Sequence, residues 1–233
     1  MPDIDSRRTR EKAFAGDIAK SLREQSKRVQ AAGGASADWE EFKKELIEKI
    51  EKRLNSIFLL AALIFMTVET RVHGSETKAA GGAKINDNFT KEGGKFSAQT
   101  AKRVAQKMVD KSRERVQKVG QDVARLPTKE QPKALKTEIR ATFSAPRAES
   151  VAVTLTTEAI SAGEETARLR VQQGSGINRI PVWITSEDDR VCPVCRPLNL
   201  KEEPVWKGRY PNGPPAHPNC RCFKLFKLER QSA

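Results

Sequence analysis

The chain is short of the residues that build a thick core. Aromatics make up 6% of its 233 residues and hydrophobic residues 37%, too few for one large globule and in keeping with helices that each bury a single stripe. Cysteine is scarce as well, four in all, and the four are not spread as a disulfide framework would spread them. No apolar run reaches the roughly 18 residues that span a bilayer. The longest, Ile57 to Val68, stops at twelve and reads as a buried helix segment, so no membrane contact is expected. Residues 1–30 are charged throughout and lack an apolar stretch, so no secretory leader is expected. Asp3, Asp5, Glu11 and Asp17 argue against a transit peptide. A reducing compartment would leave the thiols free for metal. Also missing are a Gly-rich phosphate loop, a His-Glu-x-x-His run and a Ser-His-Asp set, so the chain is not expected to be an enzyme. What is in excess is positive charge. The formal net charge of +13 suits a nucleic acid, an anionic surface or an acidic protein as partner.

Along the chain, residues 1–36 read as a charged N-terminal arm, mobile or helical, that Gly33-Gly34 ends. Asp38 followed by Glu41 is a capping-box pattern, and opens a long helix within 37–73. Ile47, Ile50, Leu54, Ile57, Ala61, Ile64 and Val68 fall on one stripe of it. From Ile57 onward it is apolar nearly all round and needs partners. Residues 74–96, with Gly81-Gly82 and Gly93-Gly94, read as a Gly-rich linker. A second helix is expected from Ser97 to Leu126, with Val104, Met108, Val119, Val123 and Leu126 inward. Its outward cations, Lys102, Arg103, Lys107, Lys111, Arg113, Arg115 and Lys118, make it the candidate face for DNA or an acidic partner. No aromatics interleave them, so stacking on single-stranded bases is not supported. A third amphipathic helix runs from Pro146, well suited to a first turn, to Arg170. A three-helix core from the stripes at Ile57, Val104 and Leu155 follows. Glu158, near the buried side, reads as a salt-bridge partner of Arg147 or Arg190. After Gly174 and Gly176, Ile180 to Thr185 reads as a strand, with Trp183 as a core anchor. Phe223, Leu225, Phe226 and Leu228 can pair with it.

The chemistry sits in the tail. Cys192-x-x-Cys195 is followed by His217-Pro218-Asn219-Cys220-Arg221-Cys222, which gathers all the cysteines and one of two histidines. Two thiolates two residues apart can chelate one ion from a single turn, and the second segment can close the tetrahedron. Soft sulfur with imidazole selects Zn²⁺ over hard cations. Cys192, Cys195, His217, Cys220 and Cys222 offer five donors for four places, so one of the last three is spare. With four protein ligands the ion has no open position for water, and its role is structural. A disulfide or free thiols is the competing reading.

The wider tail resembles the phage Mu F-like minor head, or head-morphogenesis, family. The resemblance rests on Trp183-Ile184-Thr185, Asp189-Arg190-Val191-Cys192-Pro193-Val194-Cys195 and His217-Pro218-Asn219-Cys220-Arg221-Cys222, with Arg147-Ala148-Glu149 and Thr157-Glu158 upstream. It covers roughly residues 100–226. The chain departs from the family at Leu198-Asn199-Leu200, where a Leu-x-Gly turn is common. Asn199 could take up a left-handed turn there. The resemblance implies a structural protein in the phage head, associated with the portal vertex, acting in capsid assembly and DNA packaging or ejection. Portal and capsid proteins would be its partners, with DNA bound without sequence preference as a further candidate. It would be found in the virion, and in host cytoplasm during assembly. The alternative is a zinc-ribbon nucleic-acid-binding protein. The expected fold is α+β and mostly α: an elongated helical region, then a domain over 97–233 that holds a small zinc-stabilised module at 180–228 with a short β element.

Overall fold

The computed structural model describes residues 4–33, 37–73, 87–186 and 191–229. Five long helices come first: α1 (Ile4–Ala31), α2 (Trp39–His73), α3 (Asp87–Val123), α4 (Gln131–Thr142) and α5 (Ala145–Ser175). They are followed by strand β1 (Arg179–Ile184), a one-turn helix α6 (Glu203–Trp206) and strand β2 (Phe223–Leu228). β1 and β2 pair antiparallel, with Trp183 opposite Lys224. The fold is mostly α within the α+β class, as the sequence indicates. Gly74, most of the proposed linker and Asp188, Asp189 and Arg190 lie outside the described residues. The chain divides into two compact units, one of Met1–Arg8, Leu54–Lys95 and Val153–Ala233, the other of Thr9–Arg53 and Phe96–Ala152.

The all-helical unit has its core where the stripes point. Phe14, Ile18, Leu22 and Val29 of α1 are buried, with Phe42, Leu46 and Ile50 of α2. The N-terminal arm is therefore a packed helix rather than a loose extension. It ends at Gly33, whose φ of 62° is the left-handed stop that favours glycine. The backbone N–H of Glu41 donates to the Asp38 side chain at 2.8 Å, the expected cap. On α3 the buried line is Ala101, Ala105, Met108, Val109, Ser112, Val116 and Val123. Val104 and Val119 are only half-buried and Leu126 is exposed, so the inward stripe is built largely from small residues that sequence reading passed over. Arg147 does not seek Glu158. Its guanidinium donates to the Ser112 hydroxyl (2.8 Å) and to the carbonyls of Met108 (3.0 Å) and Thr142 (3.1 Å), and burial lowers its pKa. α4 begins at the Gln131-Pro132 step, where a first-turn proline costs no hydrogen bond.

The mixed unit buries the apolar half of α2. Ile57, Phe58, Ala61, Ala62 and Phe65 are buried while Val68 is exposed, so the stripe turns gradually away from the expected Ile64–Val68 line. Ala62 and Phe65 cluster with Phe89 of α3 and with Ala167 and Val171 of α5. Two glycines permit the close approach. A Cβ at Gly163 would collide with the Phe58 carbonyl oxygen and come within 3.2 Å of the Ala61 Cβ. A Cβ at Gly93 would lie 2.9 Å from the Asn55 Oδ1 and the Phe58 ring. Residues 87–96, expected as linker, are thus the first turns of α3, and Gly93 is there because a neighbouring helix lies against it. No helix among the described residues is long and apolar enough to cross a membrane.

Candidate metal centre

β1 carries Trp183 into the centre of the C-terminal module. Its indole is fully buried, with the Trp206 and Tyr210 rings at 5.6 and 5.5 Å. Around it cluster Cys195, Cys220 and Cys222. One edge of β1 takes β2. On the other, Trp183 N–H donates to the Lys201 carbonyl and Leu200 N–H to the Trp183 carbonyl, both at 2.8 Å. Cys192 to Cys195 forms a tight knuckle. The N–H groups of Cys195 and Arg196 both donate to the Cys192 carbonyl, at 3.1 and 3.0 Å, and Cys195 N–H also approaches the Cys192 sulfur at 3.4 Å. The second ligand segment is a turn in which Cys220 N–H reaches the His217 carbonyl at 3.2 Å. Pro218 and Asn219 are its central residues, and Asn219 has φ 61°. Proline followed by a left-handed residue is the type II pattern, which explains why His-Pro-Asn-Cys has that order.

All five candidate donors converge. Cys192, Cys195 and His217 form one triad, and Cys195, Cys220 and Cys222 another, each with its ligand atoms within 4.8 Å of one another. Cys195 belongs to both. Its sulfur lies 3.8 Å from that of Cys220, the edge expected of a tetrahedron with Zn–S bonds of about 2.3 Å. The His217 Nε2 lies 2.9 Å from the Cys192 sulfur and 3.1 Å from that of Cys195, closer than the roughly 3.5 Å edge of a mixed sulfur–imidazole site. A bound ion would have to spread the first triad, whereas the Cys195–Cys220 edge already has the length it needs. His217 Nδ1 is 2.7 Å from the Pro218 carbonyl, which leaves Nε2 as the metal-facing nitrogen. All four cysteines are free thiols.

The electrostatics suit a cation. Hydrogen bonding from Cys222 holds the Cys220 thiol down at about 5. Burial and the neighbouring Cys220 push Cys195 up to about 12. Cys222 is raised by its bond to Cys220 and by burial. Crowded thiols accept one negative charge and resist more, until a metal ion compensates the charge of the rest. The buried Trp183 N–H has no hydrogen-bond partner of normal geometry among the described residues, yet it lies close enough to Cys222 to favour that thiolate.

Beneath the sheet lies a group of buried charges that sequence reading missed. β2 reads as an apolar element through Phe223, Leu225, Phe226 and Leu228, but Lys224 is the buried residue while Leu225 and Leu228 are exposed. The Lys224 ammonium donates to the Ser161 carbonyl at 2.9 Å and meets Glu165 at 3.4 Å, and its stem packs on Gly213. Burial lowers its pKa. Burial raises that of Glu165, but bonds from Arg168 and the Lys224 charge prevail and the net shift is downward. Arg179 and Glu69 make a second buried pair at 2.7 Å. Phe226, on the Lys224 face, meets Phe65 edge-on at 4.8 Å.

The seven cations of α3, Lys102 through Lys118, are all exposed, and the Arg113 guanidinium sits over the Trp39 ring at 5.7 Å. Glu158 is half-buried. At the departure from Leu-x-Gly, Asn199 has φ −56° and the left-handed residue is Leu200, at φ 61°. No protein-family model, curated protein or solved structure matches the chain.

Proposed function

We propose that this chain is a structural component of a phage head, a minor head or head-morphogenesis protein at the portal vertex, built around one structural Zn²⁺. The convergence of four sulfurs and one imidazole around Cys195 supports the metal. A donor set that exceeds the four places of a tetrahedral ion leaves no position for water, which favours a structural over a catalytic role. The phage assignment rests on the order of residues around those donors, Trp183 to Cys195 and His217 to Cys222. It carries with it portal and capsid proteins as partners, and residence in the virion after assembly in host cytoplasm.

The deciding experiment is co-purification of the full chain with a portal protein, with metal measured on the same sample. About one zinc per chain and a stable complex are expected. A well-folded, metal-free protein would refute the zinc centre, and failure to associate with any portal would refute the head assignment. The exposed cations of α3 favour a second reading, a zinc-ribbon protein that binds nucleic acid. Association with DNA at physiological salt in the absence of portal binding would select it.

A further inference from the structure

We infer that the first turn of α1 is part of the metal centre: Arg7 and Thr157 hold the Cys220–Arg221 segment in its ligating form, so that metal loading and docking of the N-terminal turn are coupled. The inference rests on the metal reading above.

Three successive residues of the ligand loop, Asn219, Cys220 and Arg221, have their backbone held by side chains that lie far from it in sequence. The N–H of Asn219 donates to the Thr154 hydroxyl at 2.9 Å. The Cys220 carbonyl accepts from the Thr157 hydroxyl at 2.7 Å. The Arg221 carbonyl accepts from Arg7 at 3.2 Å and from the Ser186 hydroxyl at 3.0 Å. Arg7 also donates to Thr157 Oγ1 at 2.6 Å, the shortest of these bonds. The loop can move little while these bonds persist, and it carries Cys220 and Cys222 at either side of Arg221.

Thr157 is the pivot. Its hydroxyl has one proton and two carbonyls in reach, that of Cys220 at 2.7 Å and that of Val153, one helical turn back, at 3.1 Å. The second is the ordinary resting bond of a helical threonine. A guanidinium donating to the oxygen strengthens the hydroxyl as a donor and occupies one of its lone pairs. By bonding the Arg221 carbonyl as well, Arg7 keeps the loop within reach of Thr157 and so favours the long-range bond to Cys220 over the local one. Thr157 is buried, so water does not replace the lost bond cheaply. Coupling of this kind is reciprocal: whatever factor Arg7 adds to metal affinity, metal adds to the docking of Arg7.

The test uses the full chain, stripped of metal and titrated with zinc against a chromogenic chelator. Wild type is compared with the Arg7→Met, Thr157→Val and Thr157→Ser variants. Arg7→Met and Thr157→Val should each weaken zinc binding by about 10-fold, the lower range for partners that orient ligands. The double variant should be little worse than either, and Thr157→Ser should bind as wild type does. Cobalt spectra should keep the same thiolate bands, since no ligand is lost. In wild type, zinc should slow hydrogen exchange at the amides of Arg8 to Glu11, the first that the helix itself can bond. Wild-type zinc affinity in both Arg7→Met and Thr157→Val would overturn the inference, as would zinc loading without slower exchange at Arg8 to Glu11. A wild type that takes up neither zinc nor cobalt would refute the metal reading itself. Should Thr157→Val not fold, Arg7→Met, at a half-buried position, and the exchange measurement decide the question.

Discussion

Leu200 holds a conformation that a side chain resists. At φ 61° its Cβ crowds the following carbonyl, a cost of roughly 1–2 kcal/mol. The residue is 69% exposed, so its side chain recovers little by burial. The turn is kept because Leu200 N–H and the Lys201 carbonyl both bond to Trp183. Leu200→Gly should therefore stabilise the protein, by roughly 0.5–1 kcal/mol once the greater freedom of glycine in the unfolded chain is subtracted. Urea unfolding measures this, and a lower midpoint would mean that the exposed leucine makes contacts that outweigh the strain. Glu164 is a second residue under tension. It is buried, and its Oε2 has no hydrogen-bond partner among the described residues. Burial, only partly opposed by Lys224 and Arg7, raises its pKa from 4.5 to about 7. Between those values the folded chain keeps a proton that the unfolded chain has released. Stability is then fully present well below pH 4.5 and falls as pH rises towards about 7, by at most about 3–4 kcal/mol at ~1.4 kcal/mol per tenfold change in proton affinity. Glu164→Gln should flatten that slope and raise stability at pH 8. An unchanged pH profile of the urea midpoint would assign the slope to other groups.

At the scale of elements, helix contacts turn on where a glycine lies. Gly163 of α5 faces the backbone of Phe58 in α2, which cannot rotate away, so Gly163→Ala must push the helices apart. A loss of about 1–3 kcal/mol is expected, as for other overpacked cores. Gly120 of α3 faces open space, and Gly120→Ala should instead gain up to about 1 kcal/mol from helix propensity. Thermal unfolding of the pair separates packing from propensity, and a tolerated Gly163→Ala would show that α2 and α5 can slide. The same contrast explains what the sequence could and could not tell. The cap at Asp38, the apolar stripe through Ile50 and Leu54, the strand at Trp183 and the cysteine knuckle are all set by residues a few positions apart, and spacing reveals them. Gly93 looks like a linker residue because its reason for being glycine is Phe58, a residue of another helix. Lys224 looks like a surface residue because Glu165 and the Ser161 carbonyl, which hold its charge, lie on α5. Arg7 belongs beside the candidate metal ligands only through Thr157 and the Arg221 carbonyl, a contact spanning 214 positions. Polarity patterns register burial along one element, not the partner that makes the burial tolerable.

For the whole molecule the dominant quantity is its net charge of +13. Such an excess would act at a distance on any polyanion, without regard to its sequence. The exposed face of α3 concentrates it. Arg103, Lys107, Lys111 and Lys118 follow one another at intervals that keep them on one stripe, with Lys102 and Arg113 along one edge and Arg115 along the other. Cations on i, i+4 positions lie about 6 Å apart along a helix axis, a ladder that can meet successive phosphates. If α3 binds duplex DNA in this way, the logarithm of the affinity should fall linearly with that of salt concentration, by about 0.9 for each phosphate neutralised. Lys107→Glu, Lys111→Glu and Arg115→Glu combined should remove close to three such contacts, making the slope shallower by roughly 2.7. Oligonucleotides of different sequence should lose affinity equally, because phosphate contacts position a protein without reading bases. Filter binding or anisotropy across a range of salt gives both numbers. The metal centre should be indifferent to these substitutions, so zinc content of the triple variant serves as the internal control for folding. Should the slope and affinity stay as they are in wild type, α3 is a solvated face and the excess charge acts from elsewhere on the chain.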